Sequence, residues 1–238
     1  MRAGILAAGL GERLRSGGIT TPKALVRVGG RMLLSHALSA VSEAGAREAV
    51  IAVNDRDADA VESALRDDAP PIPFELVRRT TASSFETFAL LASHLRDESH
   101  ALVSMVDGVF EPGAASRFGD VAHKLVEISA QKSPEGLIGV TDRHDDDRPL
   151  RVAFEEGGRI LAIGPGAEGS PWSTAGLYLL PAQAFASATL AEGLGALREL
   201  LARLVEMGLQ LRAQPLGVVV DVDRPDDLAA AELLSRDA

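Results

Sequence analysis

The chain has 238 residues, with 24 lysines and arginines against 34 aspartates and glutamates, which gives a formal net charge of −10 at pH 7. This acidic balance argues against nucleic acid or an anionic membrane surface as a partner, and the absence of cysteine excludes a disulfide framework, thiolate catalysis and cysteine-ligated metals. Because 46% of the residues are hydrophobic but no apolar run reaches the ~18 residues of a membrane span, we expect a soluble, cytoplasmic protein with a sizeable core.

The first half of the chain alternates short apolar runs with longer segments of helical periodicity. The runs predict strands at 3–8, 49–53, 74–77 and 101–106, and the periodic segments predict helices near 33–41, 59–65 and 84–95. Alternation of this kind is typical of a mostly parallel sheet with helices on both faces.

The second half is less regular. It predicts strands at 136–140, 174–180 and 218–222, a charged turn at 142–148 and a helix at 197–207. Gly157 and Gly158 predict a hairpin between 151–155 and 159–163. Asp223 and Pro225 suit the cap and first turn of a last helix. Since no linker or repeat divides the sequence, we expect a single α/β domain over residues 1–238.

A glycine-rich loop follows the first predicted strand. A small loop at the carboxyl end of a strand lets backbone N–H groups approach a phosphate or a base, and Arg13 and Lys23 would add positive charge beside it. A Rossmann fingerprint would need glycine at Leu14, and the Gly-Lys-Ser/Thr of a P-loop is absent. A tight turn with a surface arginine and lysine is the alternative. The candidate nucleotide-binding residues of this loop are Leu6, Ala7, Ala8, Gly9 and Gly11.

The segment 6–14, followed by Pro22-Lys23-Ala24-Leu25, resembles the MobA-like and sugar-phosphate nucleotidyltransferase family. Segments 105–112, 174–178 and 221–228 resemble further motifs of that family and occur in its order. Within the family, segment 158–164 and the ending from Asp221 to Leu228 look most like CTP:inositol-1-phosphate cytidylyltransferases.

The resemblance implies a GT-A-like (Rossmann-type) fold, in which a mostly parallel central sheet is flanked by helices and carries an inserted β-hairpin region. It also implies a nucleotide-binding half at 1–112 and an acceptor-binding half at 113–238. Asp107 and Asp221 would hold Mg²⁺, which prefers few carboxylates together with water and substrate phosphates. Arg13 would bind the β- and γ-phosphates, and Lys23 would neutralise charge at the α-phosphate.

Several further residues have a family role and a simpler alternative. Thr81, Ser83 and Ser84 lie where the family binds the base or ribose, but short hydroxyls there also suit a helix N-terminus. Helix capping is the preferred interpretation of Asp223. The candidate acceptor-binding residues are Thr174, Gly176, Asp223 and Arg151.

One departure concerns the acceptor. Relatives carry a lysine that contacts the acceptor phosphate shortly before the acceptor strand, and this chain has Pro165 at that place. Arg151 is the candidate substitute.

We therefore expect a monomeric or homodimeric enzyme that joins an NTP, with CTP favoured, to a phosphorylated sugar, polyol or alcohol and releases pyrophosphate. One alternative is a MobA-like transferase acting on a molybdopterin-type cofactor precursor. The other is a nucleotide-binding regulatory protein without turnover.

Overall fold

Thirteen strands are present in the computed structural model, which describes residues 1–129, 133–143, 149–190 and 193–236. In chain order they are β1 (Arg2–Ala7), β2 (Arg27–Val28), β3 (Arg31–Met32), β4 (Glu48–Val53), β5 (Phe74–Arg78), β6 (His100–Met105), β7 (Gly108–Phe110), β8 (Gly136–Thr141), β9 (Val152–Phe154), β10 (Ile160–Ile163), β11 (Ser173–Pro181), β12 (Leu211–Pro215) and β13 (Val219–Asp221).

Seven of these strands form the central sheet, in the order β12-β8-β11-β6-β1-β4-β5. Every neighbouring pair is parallel except the two that involve β11, which runs antiparallel to both β6 and β8. The mostly parallel sheet predicted from the sequence is confirmed.

Eight α-helices accompany the strands in the described ranges. They are α1 (Glu12–Ser16), α2 (Leu33–Glu43), α3 (Ala58–Asp68), α4 (Ser84–Leu95), α5 (Ala114–Ser129), α6 (Ala182–Leu190), α7 (Leu197–Glu206) and α8 (Asp227–Arg236). A short 3₁₀ turn spans Lys23–Leu25. None of these helices combines the length and the apolar character that crossing a membrane requires.

The helices cover both faces of the sheet because the central strands are apolar on both sides. In β4, Ile51 and Val53 pack with α2, α3 and α5, while Val50 and Ala52 pack with α4, α6 and α7. Successive side chains of a strand point to opposite faces, so a continuous apolar run supplies both layers of the core.

Small two-stranded sheets lie outside the central one. The antiparallel pair β9–β10 confirms the predicted hairpin, with Gly158 in the left-handed region at φ +82°. The pair β7–β13 sets Asp221 opposite Gly108 and thereby joins the end of the chain to the end of β6.

Some elements were absent from the sequence-based expectations. These include α5, α6 and the edge strand β12. The last helix was expected to open at Asp223 but begins at Asp227. Residues 144–148 of the predicted charged turn lie outside the described residues.

Candidate functional site

The glycine-rich loop connects β1 directly to α1. Gly11 adopts the left-handed conformation at φ +62°, and a Cβ there would lie 3.1 Å from Cβ of Lys23. At Gly9 a Cβ would meet nothing within 4 Å, so open space lies in front of the loop. Arg15 holds the loop from behind, donating from Nε to the Leu10 carbonyl at 2.9 Å. The loop is therefore fixed in shape but open on one side.

Lys23 lies between two carboxylates, one from the middle of the chain and one from near its end. Its Nζ donates to Asp107 Oδ2 at 2.6 Å and to Asp223 Oδ1. Its side chain is only 9% exposed. Burial lowers the pKa of Lys23, but the charges of the two carboxylates and their hydrogen bonds together raise that pKa above its ordinary value. Lys23 is thus a permanent cation at this point.

Asp223 belongs to this charge cluster and does not cap a helix. Besides Lys23, it accepts from Arg13 Nη1 at 3.0 Å. Burial raises the pKa of Asp223, but the neighbouring cations Lys23, Arg13 and Arg224 lower it below its ordinary value overall. The turn before α8 is closed by Asp227, whose carboxylate accepts from the backbone N–H of Asp223 and of Arg224. The expectation that Asp223 caps the last helix is wrong, because Asp227 closes that turn.

The pairing of β7 with β13 explains how Asp223 reaches Asp107. The backbone N–H of Val222 donates to the Asp107 carbonyl at 3.0 Å, so the segment after β13 runs beside the end of β6. Asp221 lies on the same segment and lines the cavity described below. The ammonium of Lys23 joins Asp107 to Asp223, whereas the predicted metal role of Asp221 stays a prediction.

A cavity of about 880 Å³ opens from this charge cluster toward the second half of the chain. Its lining includes Arg13 and Asp107 at one end, and Thr174, Gly176 and Tyr178 of β11. Gly176 has φ +76°, and a Cβ there would lie 3.3 Å from Met105, so this bend of β11 requires glycine. The register of β11 against β8 shifts between Thr174 and Tyr178.

Arg151 has a different environment. Its guanidinium donates to the Pro171 carbonyl at 3.0 Å, and it is not among the described residues that line the cavity. The acceptor role predicted for Arg151 therefore stays a prediction.

The hydroxyls before α4 all have partners within the protein. Ser83 is the N-cap of α4 and accepts from the Glu86 N–H at 3.1 Å. Thr81 and Thr87 share a hydrogen bond of 2.6 Å. Ser84 accepts from the N–H of Leu197 at 3.0 Å and also lines the cavity. The capping alternative holds for Ser83, and Ser84 connects α4 to α7.

Two residues of the cavity wall were not assigned from the sequence. The pKa of Tyr178 is raised to about 12, chiefly because the side chain is buried and also because of the charges of Asp221 and Asp107. A hydrogen bond with Thr174 and the charge of Arg198 act in the opposite direction and lower this pKa. Arg198 lies in the first turn of α7 and lines the cavity. Nothing in the sequence distinguishes Arg198 from other arginines on helices, since only the fold brings α7 to the cavity.

Comparisons with known proteins identify the family and the fold. A family model described as a MobA-like NTP transferase domain matches residues 3–207. Mannose-1-phosphate guanylyltransferase catalytic subunit beta of Drosophila melanogaster is 31% identical over 160 residues, which cover 67% of this chain and 42% of that protein. CMP-5'-(3-aminopropyl)phosphonate synthase of Streptomyces rubellomurinus is 31% identical over 183 residues, which cover 76% of this chain and 28% of that protein. The chain thus spans less than half the length of these curated relatives.

A solved structure has the same fold along nearly the whole chain. The inositol-1-phosphate CTP transferase from T. maritima superposes with a TM-score of 0.80 at 21% identity, covering 99% of this chain and 95% of the other. This likeness extends to the sheet, the helices on both of its faces and the second half of the chain.

Proposed function

The chain belongs to the MobA-like NTP transferase family, and we propose that it transfers the nucleotidyl group of an NTP to a small phosphorylated acceptor. The observation that supports this proposal most directly is the Lys23 ammonium between Asp107 and Asp223, two carboxylates that line the cavity together with Arg13. One end of this arrangement suits a triphosphate and the other a second substrate. The division into a nucleotide half at 1–112 and an acceptor half at 113–238 is part of the proposal.

The same carboxylates fit a divalent cation. Asp107 and Asp223 already share one positive charge, and carboxylate oxygens are the ligands that Mg²⁺ prefers, in small number and together with substrate phosphates. In the described residues no three histidine, aspartate or glutamate side chains form a metal-binding group, so substrate oxygens would have to complete the coordination. We therefore propose Asp107 and Asp223 as the Mg²⁺ ligands, with Asp221 as the alternative second ligand. Bound Mg²⁺ would neutralise the phosphate charge that builds up during transfer.

The protein's own residues have clear tasks in such a reaction. The N–H groups of the loop around Gly9 and Gly11 bind phosphate oxygens, and Arg13 pairs with the β- and γ-phosphates. Lys23 neutralises charge at the α-phosphate. An acceptor oxygen forms a bond to the α-phosphorus while the bond from that phosphorus to the bridging oxygen breaks, and pyrophosphate leaves with the electron pair. Positioning and fixed charge supply the rate, because no covalent step falls to the protein.

The base and the acceptor need separate tests, since the relatives named above differ in both. CTP is the favoured nucleotide, on the resemblance of segment 158–164 and of the ending from Asp221 to Leu228 to cytidylyltransferases. A thermal-shift screen of the four NTPs with Mg²⁺ identifies the base, because a ligand at about 100 times its Kd adds ~2.7 kcal/mol to the free energy of unfolding.

Pyrophosphate release then tests turnover. The assay uses the preferred NTP with mannose 1-phosphate, inositol 1-phosphate, (3-aminopropyl)phosphonate or molybdopterin as acceptor, and Arg13→Gln as the inactive control. Release that depends on both acceptor and Arg13 supports the proposal. Tight NTP binding without release from any acceptor would instead favour the regulatory alternative.

A further inference from the structure

A transferase of the proposed kind has to hold an anionic acceptor beside an anionic triphosphate, and this inference rests on that proposed function. Like charges at about 4 Å repel strongly, so the acceptor needs a cation of its own. The family's lysine is replaced by Pro165, which follows β10 and is not among the described residues lining the cavity. Arg151 bonds to the Pro171 carbonyl instead.

The cavity is acidic in the described ranges, because six aspartates and four arginines line it. Two of the arginines interact with Asp223, near the proposed nucleotide site. Arg13 donates a hydrogen bond to the Asp223 carboxylate, and the charge of Arg224 lowers the pKa of Asp223. Arg143 is exposed and directly precedes residues 144–148, which are not described. Arg198, on α7, is the remaining cation in this lining.

Arg198 and Tyr178 line the same cavity as the carboxylates Asp107 and Asp221. Tyr178 is in β11, which lies between β8 and β6 in the central sheet, and the charges of Asp107, Asp221 and Arg198 all act on its hydroxyl. Asp107 is the carboxylate that binds Lys23. The cavity that Tyr178 lines is therefore shared by the proposed metal ligand Asp107 and by Arg198.

The neutral polar groups of the wall are already bonded within the protein. The Thr141 hydroxyl lies 2.7 Å from the Gly217 carbonyl, and the Ser173 hydroxyl lies 3.4 Å from the Thr141 carbonyl. Much of the remaining wall is apolar, including Leu150 and Leu197. An acceptor in this part of the cavity would therefore be bound by charged side chains more than by neutral hydrogen-bonding groups.

We propose that Arg198 binds the phosphorus oxyanion of the acceptor, in place of the lysine that this chain lacks. A guanidinium presents paired N–H donors that match two oxygens of a phosphate or a phosphonate. A phosphate ester and a phosphonate present the same group of phosphorus-bound oxygens to the guanidinium. The proposed acceptor is therefore a small compound of either class.

The helix that carries Arg198 is held in place at its first turn. Leu197 donates its N–H to Ser84, and its side chain is buried in the core together with Leu200 and Leu201. Glu199 accepts from the Gly195 N–H at 2.8 Å. Ser84 begins α4, so the segment proposed to lie near the nucleotide also positions the acceptor arginine.

Steady-state kinetics of Arg198→Gln tests the proposal on the full chain. The preferred NTP and Mg²⁺ are paired in turn with mannose 1-phosphate, inositol 1-phosphate and (3-aminopropyl)phosphonate, which separates esters from the phosphonate. A charged hydrogen bond of this kind contributes about tenfold to hundredfold in binding. We expect the acceptor KM to rise by that factor, the NTP KM to stay within twofold, and Arg198→Lys to recover part of the loss. Arg203→Gln, on the same helix but outside the described cavity lining, is the matched control.

The outcomes separate this inference from the proposed function. The inference about Arg198 is overturned if the acceptor KM is unchanged in Arg198→Gln, or if the NTP KM rises by the same factor. A rise of the acceptor KM in Arg151→Gln instead would assign acceptor binding to Arg151.

If no acceptor reacts, inorganic phosphate is titrated by calorimetry into protein saturated with NTP and Mg²⁺, or into protein alone if no NTP binds. A phosphate Kd at least tenfold weaker in Arg198→Gln then supports the inference although the activity fails. An equal Kd, or no phosphate binding by the parent protein, overturns it.

Discussion

Replacing Lys23 by methionine removes one positive charge and keeps most of the apolar stem. In the parent protein the ammonium is the common partner of Asp107 and Asp223, whose side chains are 15% and 40% exposed. The variant leaves these two carboxylates facing each other across the position of the missing nitrogen. A lysine in a loop would ordinarily contribute little to stability, but the burial of Lys23 changes that expectation.

The size of the effect follows from the distances. Two like charges about 5 Å apart repel by about 3 kcal/mol at an effective dielectric of 20, and the solvent exposure of Asp223 reduces this to about 1–2 kcal/mol. For a chain of this length a change of that size lowers Tm by roughly 2–8 °C. Turnover should fall further, by about 10²–10³ in kcat, because a preorganised charge at the α-phosphate is lost.

Thermal unfolding with and without Mg²⁺ is the assay. In Lys23→Met both carboxylates are free to bind the cation, whereas in the parent the ammonium already neutralises them, so Mg²⁺ should raise the Tm of the variant more. The exposed Lys124 on α5 provides the control, and Lys124→Met should match the parent in stability and in its response to Mg²⁺. Equal Mg²⁺ shifts in Lys23→Met and the parent, or an unchanged Tm without Mg²⁺, would refute the reasoning.

Five further substitutions, grouped in three experiments, test the site. Asp223→Asn should raise the Mg²⁺ concentration for half-maximal turnover about tenfold or more, and Asp221→Asn much less, because the Lys23 ammonium already joins Asp223 to Asp107. The reverse ranking would restore the ligand named from the sequence. Gly11→Ala should cost about 1–2 kcal/mol by chemical denaturation because of its left-handed backbone, whereas Gly9→Ala should keep stability and weaken NTP binding in calorimetry. Ser84→Ala should raise the acceptor KM severalfold and leave the NTP KM unchanged, since it frees the first amide of α7; a rise in the NTP KM alone would make it a nucleotide ligand.

Local pattern was enough to predict most of the central sheet. Strands that are buried on both faces have continuous apolar runs, and β1, β4 and β6 are found within two residues of the predicted bounds, as is the edge strand β5. The Gly157-Gly158 signal located the β9–β10 hairpin in the same way. No strand was predicted for the edge strand β12, because Leu211–Pro215 has only one large apolar side chain and ends in proline, although apolar and polar residues alternate along it.

The charge cluster was only half visible in the sequence. Lys23 and Asp107 could be named because each lies in a motif whose residues are close together in the chain. Asp223 could not be separated from a helix cap, since Asp223 and Pro225 have the local sequence of a helix start, and local chemistry fits both roles. The antiparallel pairing of β7 with β13 decided between them by carrying the Asp223 carboxylate to Lys23.

The sequence by itself determined the sheet, the glycine-rich loop and the family of this protein, because each depends on residues that are neighbours in the chain or repeat with a fixed period. The tertiary structure alone decided which distant charges meet. Asp223 and Lys23 are 200 residues apart, and Arg198 reaches the cavity only because Ser84 holds α7 beside α4. The sequence specifies which side chains are charged, but the pairing of the strands decides which of these charged groups come together.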